Sequence, residues 1–94
     1  MFIVNLTYTR PMADIEALLD AHISWLDNYF DKGIFITAGR KEPRTGGVIL
    51  VKDIDAKQLD TILAEDPFVA VADYSVIKVN ITRTAADFNI LKNI

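Results

Sequence analysis

Residues 2–33 read FIVNLTYTRPMADIEALLDAHISWLDNYFDKG and contain the pattern of a β-strand followed directly by that of an α-helix. Side chains from Phe2 to Tyr8 alternate between two faces of unequal polarity, which is typical of a strand buried on one side. Pro11 suits the start of a helix, and Gly33 suits the residue just after its end. The pattern therefore predicts a helix over residues 12–32.

Two short strands are predicted next, at residues 34–38 and 48–52, because both segments are apolar and rich in β-branched side chains. The segment between them, GRKEPRTGG at residues 39–47, consists mostly of turn-forming and basic residues. Together the three segments predict a β-hairpin with a long basic tip.

A second helix and a fourth strand complete the pattern. Asp55 and Gln58 have the spacing of a capping box at a helix start, and the helix must end before Pro67. Residues 74–82 alternate again and predict the last strand. The order βαββαβ predicts an α+β protein of the ferredoxin-like class, in which an antiparallel sheet carries both helices on one face.

The uncovered face of such a sheet would be strongly apolar. In the fourth predicted strand, Ile77, Val79 and Ile81 share one face, and the second and third strands are apolar throughout. Monomeric proteins seldom expose a patch of this kind. The sequence therefore predicts a homodimer of the dimeric α/β-barrel type.

The chain is expected to form one domain over residues 1–94, with residues 83–94 as a C-terminal extension. Thr84 and Asp87 have the spacing of a helix start. The tail carries the apolar side chains Phe88, Ile90, Leu91 and Ile94. Because these are too many to leave in solvent, we expect the tail to dock, for example on a partner subunit.

Composition narrows the classes of function. The chain is 51% hydrophobic and 24% charged, which is typical of an ordered globular protein. It has no cysteine and one histidine, which argues against a thiolate nucleophile, a disulfide and an all-protein metal site. We expect no metal and no cofactor, and the absence of cysteine is compatible with a reducing cytoplasm.

Charge and hydropathy point to a small-molecule ligand. The net charge of −3 and the isoelectric point near 4.9 argue against nucleic-acid binding. The sequence shows no cleavable leader and no apolar segment long enough to span a membrane. We therefore expect a soluble, cytoplasmic protein with neither nucleic acid nor a membrane as its partner.

The one histidine, His22, lies on the apolar stripe of the first predicted helix, together with Ile15, Leu19, Leu26 and Tyr29. Burying an imidazole disfavours its charged form and leaves two ring nitrogens that need partners. A histidine in such a position has a dedicated partner or lines a wet cavity.

Three segments together resemble the YCII-related family: AHISWL at residues 21–26, GIFITAG at residues 33–39 and DPF at residues 66–68. The resemblance implies a dimeric ferredoxin-like fold similar to muconolactone isomerase. It also implies a pocket lined by His22 and Asp66, a pair regarded as the active site in a family of mostly unknown activity. The chain departs from the family at Arg40, where proline is frequent, and in the length of its C-terminal segment.

His22 and Asp66 have a functional and a structural interpretation. As a pair, the carboxylate would fix the imidazole tautomer and leave the other ring nitrogen to move a proton, in an isomerisation or elimination on a small cyclic or aromatic acid. Asp66 before Pro67 is also typical of a helix cap, and His22 of a hydrogen-bonded core residue. A non-catalytic metabolite-binding or assembly module is the alternative function, and haem binding through His22 is a third.

Further residues are candidates for substrate binding. The basic tip with Arg40, Lys41 and Arg44 offers donors for a carboxylate or another anionic group, and Arg40 is the best candidate because it lies nearest the strand end. A solvated hairpin tip explains the same residues. Tyr8, Trp25, Phe35 and Phe68 could surround a flat organic substrate or belong to an ordinary core.

Overall fold

The computed structural model describes residues 1–94 and has the predicted order of strands and helices. The elements are β1 (Phe2–Tyr8), α1 (Met12–Asp31), β2 (Phe35–Arg40), β3 (Gly46–Val51), α2 (Ala56–Ala64) and β4 (Ala72–Lys78). The strands form one antiparallel sheet in the order β2-β3-β1-β4. This confirms the predicted ferredoxin-like α+β fold.

The first strand is an inner strand of the sheet, since β1 pairs with both β3 and β4. Val4 lies opposite Ile49 of β3 and Val76 of β4. Phe2, Val4 and Leu6 share one face of β1 and are buried. Because side chains alternate along a strand, this face of β1 is the one that the helices cover.

The helices cover the sheet with large apolar side chains, which are Ile15, Trp25 and Tyr29 from α1 and Leu59, Ile62 and Leu63 from α2. The indole N–H of Trp25 donates a hydrogen bond of 3.0 Å to the carbonyl oxygen of Ile62 and joins the two helices. Each such buried side chain contributes roughly 1.5–3 kcal/mol relative to exposure. Neither helix has the length and apolar character needed to cross a membrane.

The loop of the β2–β3 hairpin is shorter than predicted, because Gly46 and Gly47 belong to β3 and not to the loop. A pair of glycines in a sequence usually indicates a turn, but here Gly46 permits close contact between two strands. A Cβ atom at Gly46 would lie 1.8 Å from the carbonyl oxygen of Leu6. The residue is therefore fixed by strand packing, and the basic loop is confined to residues 41–45.

The fourth strand begins earlier and ends earlier than residues 74–82, since β4 spans Ala72–Lys78. Its one neighbour is β1, and the last backbone hydrogen bond runs from the amide of Val79 to the carbonyl of Met1, at 2.8 Å. Beyond Val79 no strand lies alongside, so residues 80–82 leave the sheet despite their alternating pattern.

Both predicted helix caps differ in the structure. Asp55 precedes α2, but its side chain makes no capping hydrogen bond. Thr84 does not start a helix, because its hydroxyl bonds to the side chain of Asn89 at 2.8 Å, and only a 3₁₀ turn over Ala86–Leu91 follows. No residue of that turn is buried, so the tail does not dock on its own chain.

The face of the sheet opposite the helices carries an apolar row. Leu50, Ile3 and Ile77 lie side by side across β3, β1 and β4. Ile77 is 53% exposed, and Ile3 and Leu50 are half-buried. The row is the observed counterpart of the apolar face on which the predicted homodimer depends.

Candidate active site

His22 lies near the middle of α1 with its ring between the core and an open cavity. The side chain is 12% exposed, and Nδ1 lies 2.7 Å from Oδ1 of Asp66. Its ring stacks on Phe68, with ring centroids 3.8 Å apart and an angle of 5° between the planes. Two contacts, one polar and one aromatic, therefore fix the orientation of the imidazole.

The helical stripe around His22 divides into two parts. Ile15 and Tyr29 are buried as predicted. Leu19, His22 and Leu26 are half-buried and line the cavity. The stripe was predicted to face a core, but its middle third faces a space between α1 and the sheet.

Asp66 is fully buried and accepts three hydrogen bonds. Oδ1 accepts from His22 and from the backbone N–H of Phe68, at 2.9 Å, while Oδ2 accepts from the hydroxyl of Tyr74, at 2.5 Å. The bond to Phe68 caps the 3₁₀ turn Pro67–Ala70, in which proline occupies the first position. Asp66 is therefore both the cap and the histidine partner, which the sequence had offered as alternatives.

The three donors define the proton arrangement. An ionised carboxylate only accepts hydrogen bonds, so the neutral imidazole must carry its proton on Nδ1 to pair with Asp66. The other nitrogen of His22, Nε2, then has a free lone pair. Nε2 has no hydrogen-bond partner in the protein and is not among the buried unpaired atoms, so it is accessible from the cavity that His22 lines.

Tyr74 is the residue of this cluster that the sequence did not identify. Burial and the hydrogen bond to Asp66 raise the pKa of Tyr74 far above its ordinary value, so the phenol remains a donor. The sequence did contain a signal for Tyr74, because alternation in β4 puts Tyr74 on the same face as Val76, toward the helices. A buried tyrosine hydroxyl usually has a partner, and the nearby Asp66 was available.

The cavity beside His22 has a volume of about 360 Å³ and opens to solvent on one side. Its walls come from β1, α1, the β2–β3 hairpin and the 3₁₀ turn, and most are apolar. Tyr8 and Phe68, both predicted to contact substrate, lie on this wall and pack edge to face, with centroids 5.9 Å apart. The cavity has the size and lining of a site for a small, flat organic molecule.

Two arginines are the cationic residues of the cavity wall. Arg40, at the end of β2, was predicted to contact substrate, and it is exposed on the wall. Arg44 reaches the same cavity from the basic loop, and its Nη1 lies 3.9 Å from Oε1 of Glu16 on α1. The Nε–H of Arg44 is buried and has no acceptor in the protein.

Trp25 and Phe35, expected to contact substrate, do not line the cavity. The indole of Trp25 points to Ile62 of α2, and the ring of Phe35 packs against it with centroids 5.1 Å apart. Phe35 pairs with Val51, at the end of the hairpin strands remote from Arg40. These two aromatic residues are therefore part of the core, and Trp25 reaches His22 only by a tilted ring contact at 5.6 Å.

No group of three or more histidine, cysteine, aspartate or glutamate side chains is placed to hold a metal ion. His22 is the only imidazole on the wall, and Asp66 lies behind it, away from the cavity. The arrangement therefore offers Nε2 of His22 and two guanidinium groups to a bound molecule.

Comparison with known protein families gives a match over most of the chain. The model of the YCII-related domain family matches residues 1–80, which include all the strands, both helices and every residue of the His22 cluster. No curated protein was found to be similar to the chain. Because the match covers most of its length, the chain belongs to the YCII-related domain family.

Proposed function

We propose that the protein is an enzyme that transfers a proton on a small cyclic or aromatic acid, with His22 as the general base. The observation that carries this proposal is the contact of 2.7 Å between His22 Nδ1 and Asp66 Oδ1, which leaves Nε2 accessible from the cavity. A positioned acid-base group of this kind contributes about 10²- to 10⁴-fold to a reaction rate.

The proposed reaction begins with Nε2 removing a proton from a carbon next to a carbonyl group of the substrate. The imidazolium that forms is stabilised by the buried carboxylate of Asp66, and the electron pair moves into the carbonyl. In an isomerisation, Nε2–H returns the proton at another carbon. In an elimination, the electron pair returns from the carbonyl to form a carbon–carbon double bond, and a leaving group departs from the neighbouring carbon with the electrons of its own bond.

Several features of the cavity support this chemistry. The stack on Phe68 and the bond to Asp66 hold the imidazole in one orientation, so that little reorganisation is needed during proton transfer. The mostly apolar walls reduce the dielectric constant around the charges that develop.

The experiment is proton exchange in D₂O, followed by NMR with a panel of small cyclic and aromatic 2-oxo and unsaturated acids. We expect exchange above the uncatalysed rate for at least one compound, and a loss of at least about a hundredfold in His22→Asn. The asparagine amide can still donate to Asp66 but has no basic nitrogen in place of Nε2. Saturable binding across the panel without any exchange would instead support the alternative, a metabolite-binding module.

We also propose that a second copy of the chain covers the apolar row of Leu50, Ile3 and Ile77. Light scattering should give twice the chain mass of 10.5 kDa for the wild type. Ile77→Asp should give the mass of one chain, because a carboxylate cannot be buried there without a partner. Monomeric wild-type protein at micromolar concentration would reject this proposal.

A further inference from the structure

We infer that Arg44 is the residue that binds the carboxylate of the ligand, and that Glu16 positions it. This inference rests on the proposed function only in taking the His22 cavity as the ligand site. It does not depend on catalysis.

The buried Nε–H of Arg44 is the first observation. It is the one buried side-chain nitrogen or oxygen atom in the chain without a hydrogen-bond partner, and its residue lines the cavity. An unpaired buried donor costs free energy, typically about 1–3 kcal/mol. As the side chain lies, Nε has almost no accessible surface, so a carboxylate in the cavity supplies the missing acceptor once the Arg44 side chain turns this edge outward.

The contact with Glu16 is the second observation. Arg44 extends from the basic loop toward α1, where Nη1 lies 3.9 Å from Oε1 of Glu16. In a guanidinium group, Nε and Nη2 form the edge away from Nη1. Glu16 therefore lies beside one corner of the group, and a turn of the side chain about that corner presents the Nε/Nη2 fork to a second carboxylate, which suits the bidentate geometry of arginine.

Arg40 lacks both features. It lies at the exposed end of β2, forms no ion pair and has no buried unpaired nitrogen. Its long side chain must be ordered before it can hold a ligand, which costs conformational entropy. The distinction between the two arginines allows the test to compare them within one cavity.

The surrounding wall indicates what the carboxylate is attached to. Tyr8, Phe68 and the leucines of α1 form apolar surfaces on the same cavity. The ligand class is thus a small planar acid, with its ring against these side chains, its carboxylate on Arg44 and a reacting carbon near His22.

The test is NMR titration with benzoate and with its neutral analogue benzamide, monitored through the Cε1 proton of His22, the only histidine in the chain. We expect benzoate to bind the wild type more tightly than benzamide. Arg44→Gln and Arg44→Lys should both weaken benzoate binding about tenfold or more, because lysine keeps the charge but has no fork. Glu16→Gln should weaken it by a smaller factor, while benzamide binding should be unchanged in all three variants.

Arg40→Gln should weaken benzoate binding less than Arg44→Gln does, and the control is Lys57→Gln, which removes a cation on α2 outside the cavity and should change benzoate binding by less than about threefold. The inference is overturned if benzoate binds no better than benzamide, if Arg44→Gln binds benzoate as the wild type does, or if Arg40→Gln shows the larger loss. Thermal unfolding of each variant shows whether it is folded. If Arg44→Gln is misfolded, benzoate binding by Arg44→Lys decides whether Arg44 binds the carboxylate. The outcome is separate from that of the proton-exchange experiment, because benzoate has no exchangeable carbon-bound proton next to a carbonyl.

Discussion

The hydroxyl of Tyr74 donates a hydrogen bond of 2.5 Å to Oδ2 of Asp66, on the opposite carboxylate oxygen from the one that accepts from His22. With the backbone N–H of Phe68, three donors surround a side chain that has no exposed surface. Burying a carboxylate is costly unless such donors compensate it. Tyr74 is therefore part of the structure that keeps Asp66 in place behind His22.

Tyr74→Phe should lower the free energy of unfolding by about 1.5–3 kcal/mol, because a hydrogen bond to a charged, buried group is lost. Urea unfolding at neutral pH measures this difference. The matched control is Tyr8→Phe, which removes a hydroxyl without a hydrogen-bond partner in the protein and should change stability by less than about 0.5 kcal/mol. Equal effects of the two substitutions would contradict the assigned role of Tyr74.

Asp66→Ser should separate the two roles of Asp66. Serine can still cap the 3₁₀ turn by accepting from Phe68, but its hydroxyl is too short to reach the imidazole of His22. We expect Asp66→Ser to lose proton transfer while remaining about 0.5–2 kcal/mol more stable than Asp66→Ala, which has neither contact. Urea unfolding measures the stability difference, and the exchange assay measures proton transfer. Equal stability of the two variants would contradict the claim that Asp66 stabilises the protein as a cap.

Tyr29 predicts a pH dependence of stability. Its hydrogen bond to Glu65, its burial and the charge of Glu65 raise the pKa of Tyr29 from 10.0 to about 12. The native state thus retains a proton that the unfolded chain releases. This stabilisation is complete below about pH 10 and is lost as the pH rises through about 12.

The measurement is urea unfolding of the wild type and Tyr29→Phe between pH 8 and pH 12. The stability difference between the two proteins should shrink above pH 10, and Tyr74, present in both, cancels from it. A difference that is constant over this range would show that Tyr29 titrates alike in the folded and unfolded chain.

Gly46 and Gly39 should respond differently to the same substitution. A Cβ at Gly46 would lie 1.8 Å from the carbonyl oxygen of Leu6, whereas a Cβ at Gly39 would meet no atom within 4 Å. Gly46→Ala should therefore cost about 3 kcal/mol or more, and Gly39→Ala should change stability by less than about 1 kcal/mol. Similar unfolding midpoints for the two variants would contradict the close contact between β1 and β3.

The sequence predicts the parts of the fold that depend on local pattern. Alternation from Phe2 to Tyr8 and the cap signals around Pro11 and Gly33 are local, so β1 and α1 were predicted almost to the residue. The end of β4 depends on where its antiparallel neighbour β1 begins, and the place of Gly46 depends on contact with Leu6. Neither the end of β4 nor the position of Gly46 can be predicted from the residues of one strand alone, because each depends on the neighbouring strand.

The site was predictable to a similar extent. The family resemblance implied a pocket lined by His22 and Asp66; the two side chains are in contact, but only His22 lines the cavity, and Asp66 lies behind it. The contribution of Tyr74 depends on sheet register, and that of Arg44 on the path of a five-residue loop, residues 41–45. For Trp25 the choice between core and cavity wall stayed open, because a helical position alone does not indicate which neighbouring element its indole meets.

The most direct test of the proposed base is the tautomer of His22, measured from its two imidazole ¹⁵N shifts at a pH where the ring is neutral. We predict that Nδ1 carries the proton and that Nε2 is unprotonated, because the buried carboxylate of Asp66 accepts from Nδ1. In Asp66→Ser, which removes this acceptor, the preference should be lost. A wild-type ring with its proton on Nε2 would contradict the claim that His22 offers a base to the cavity.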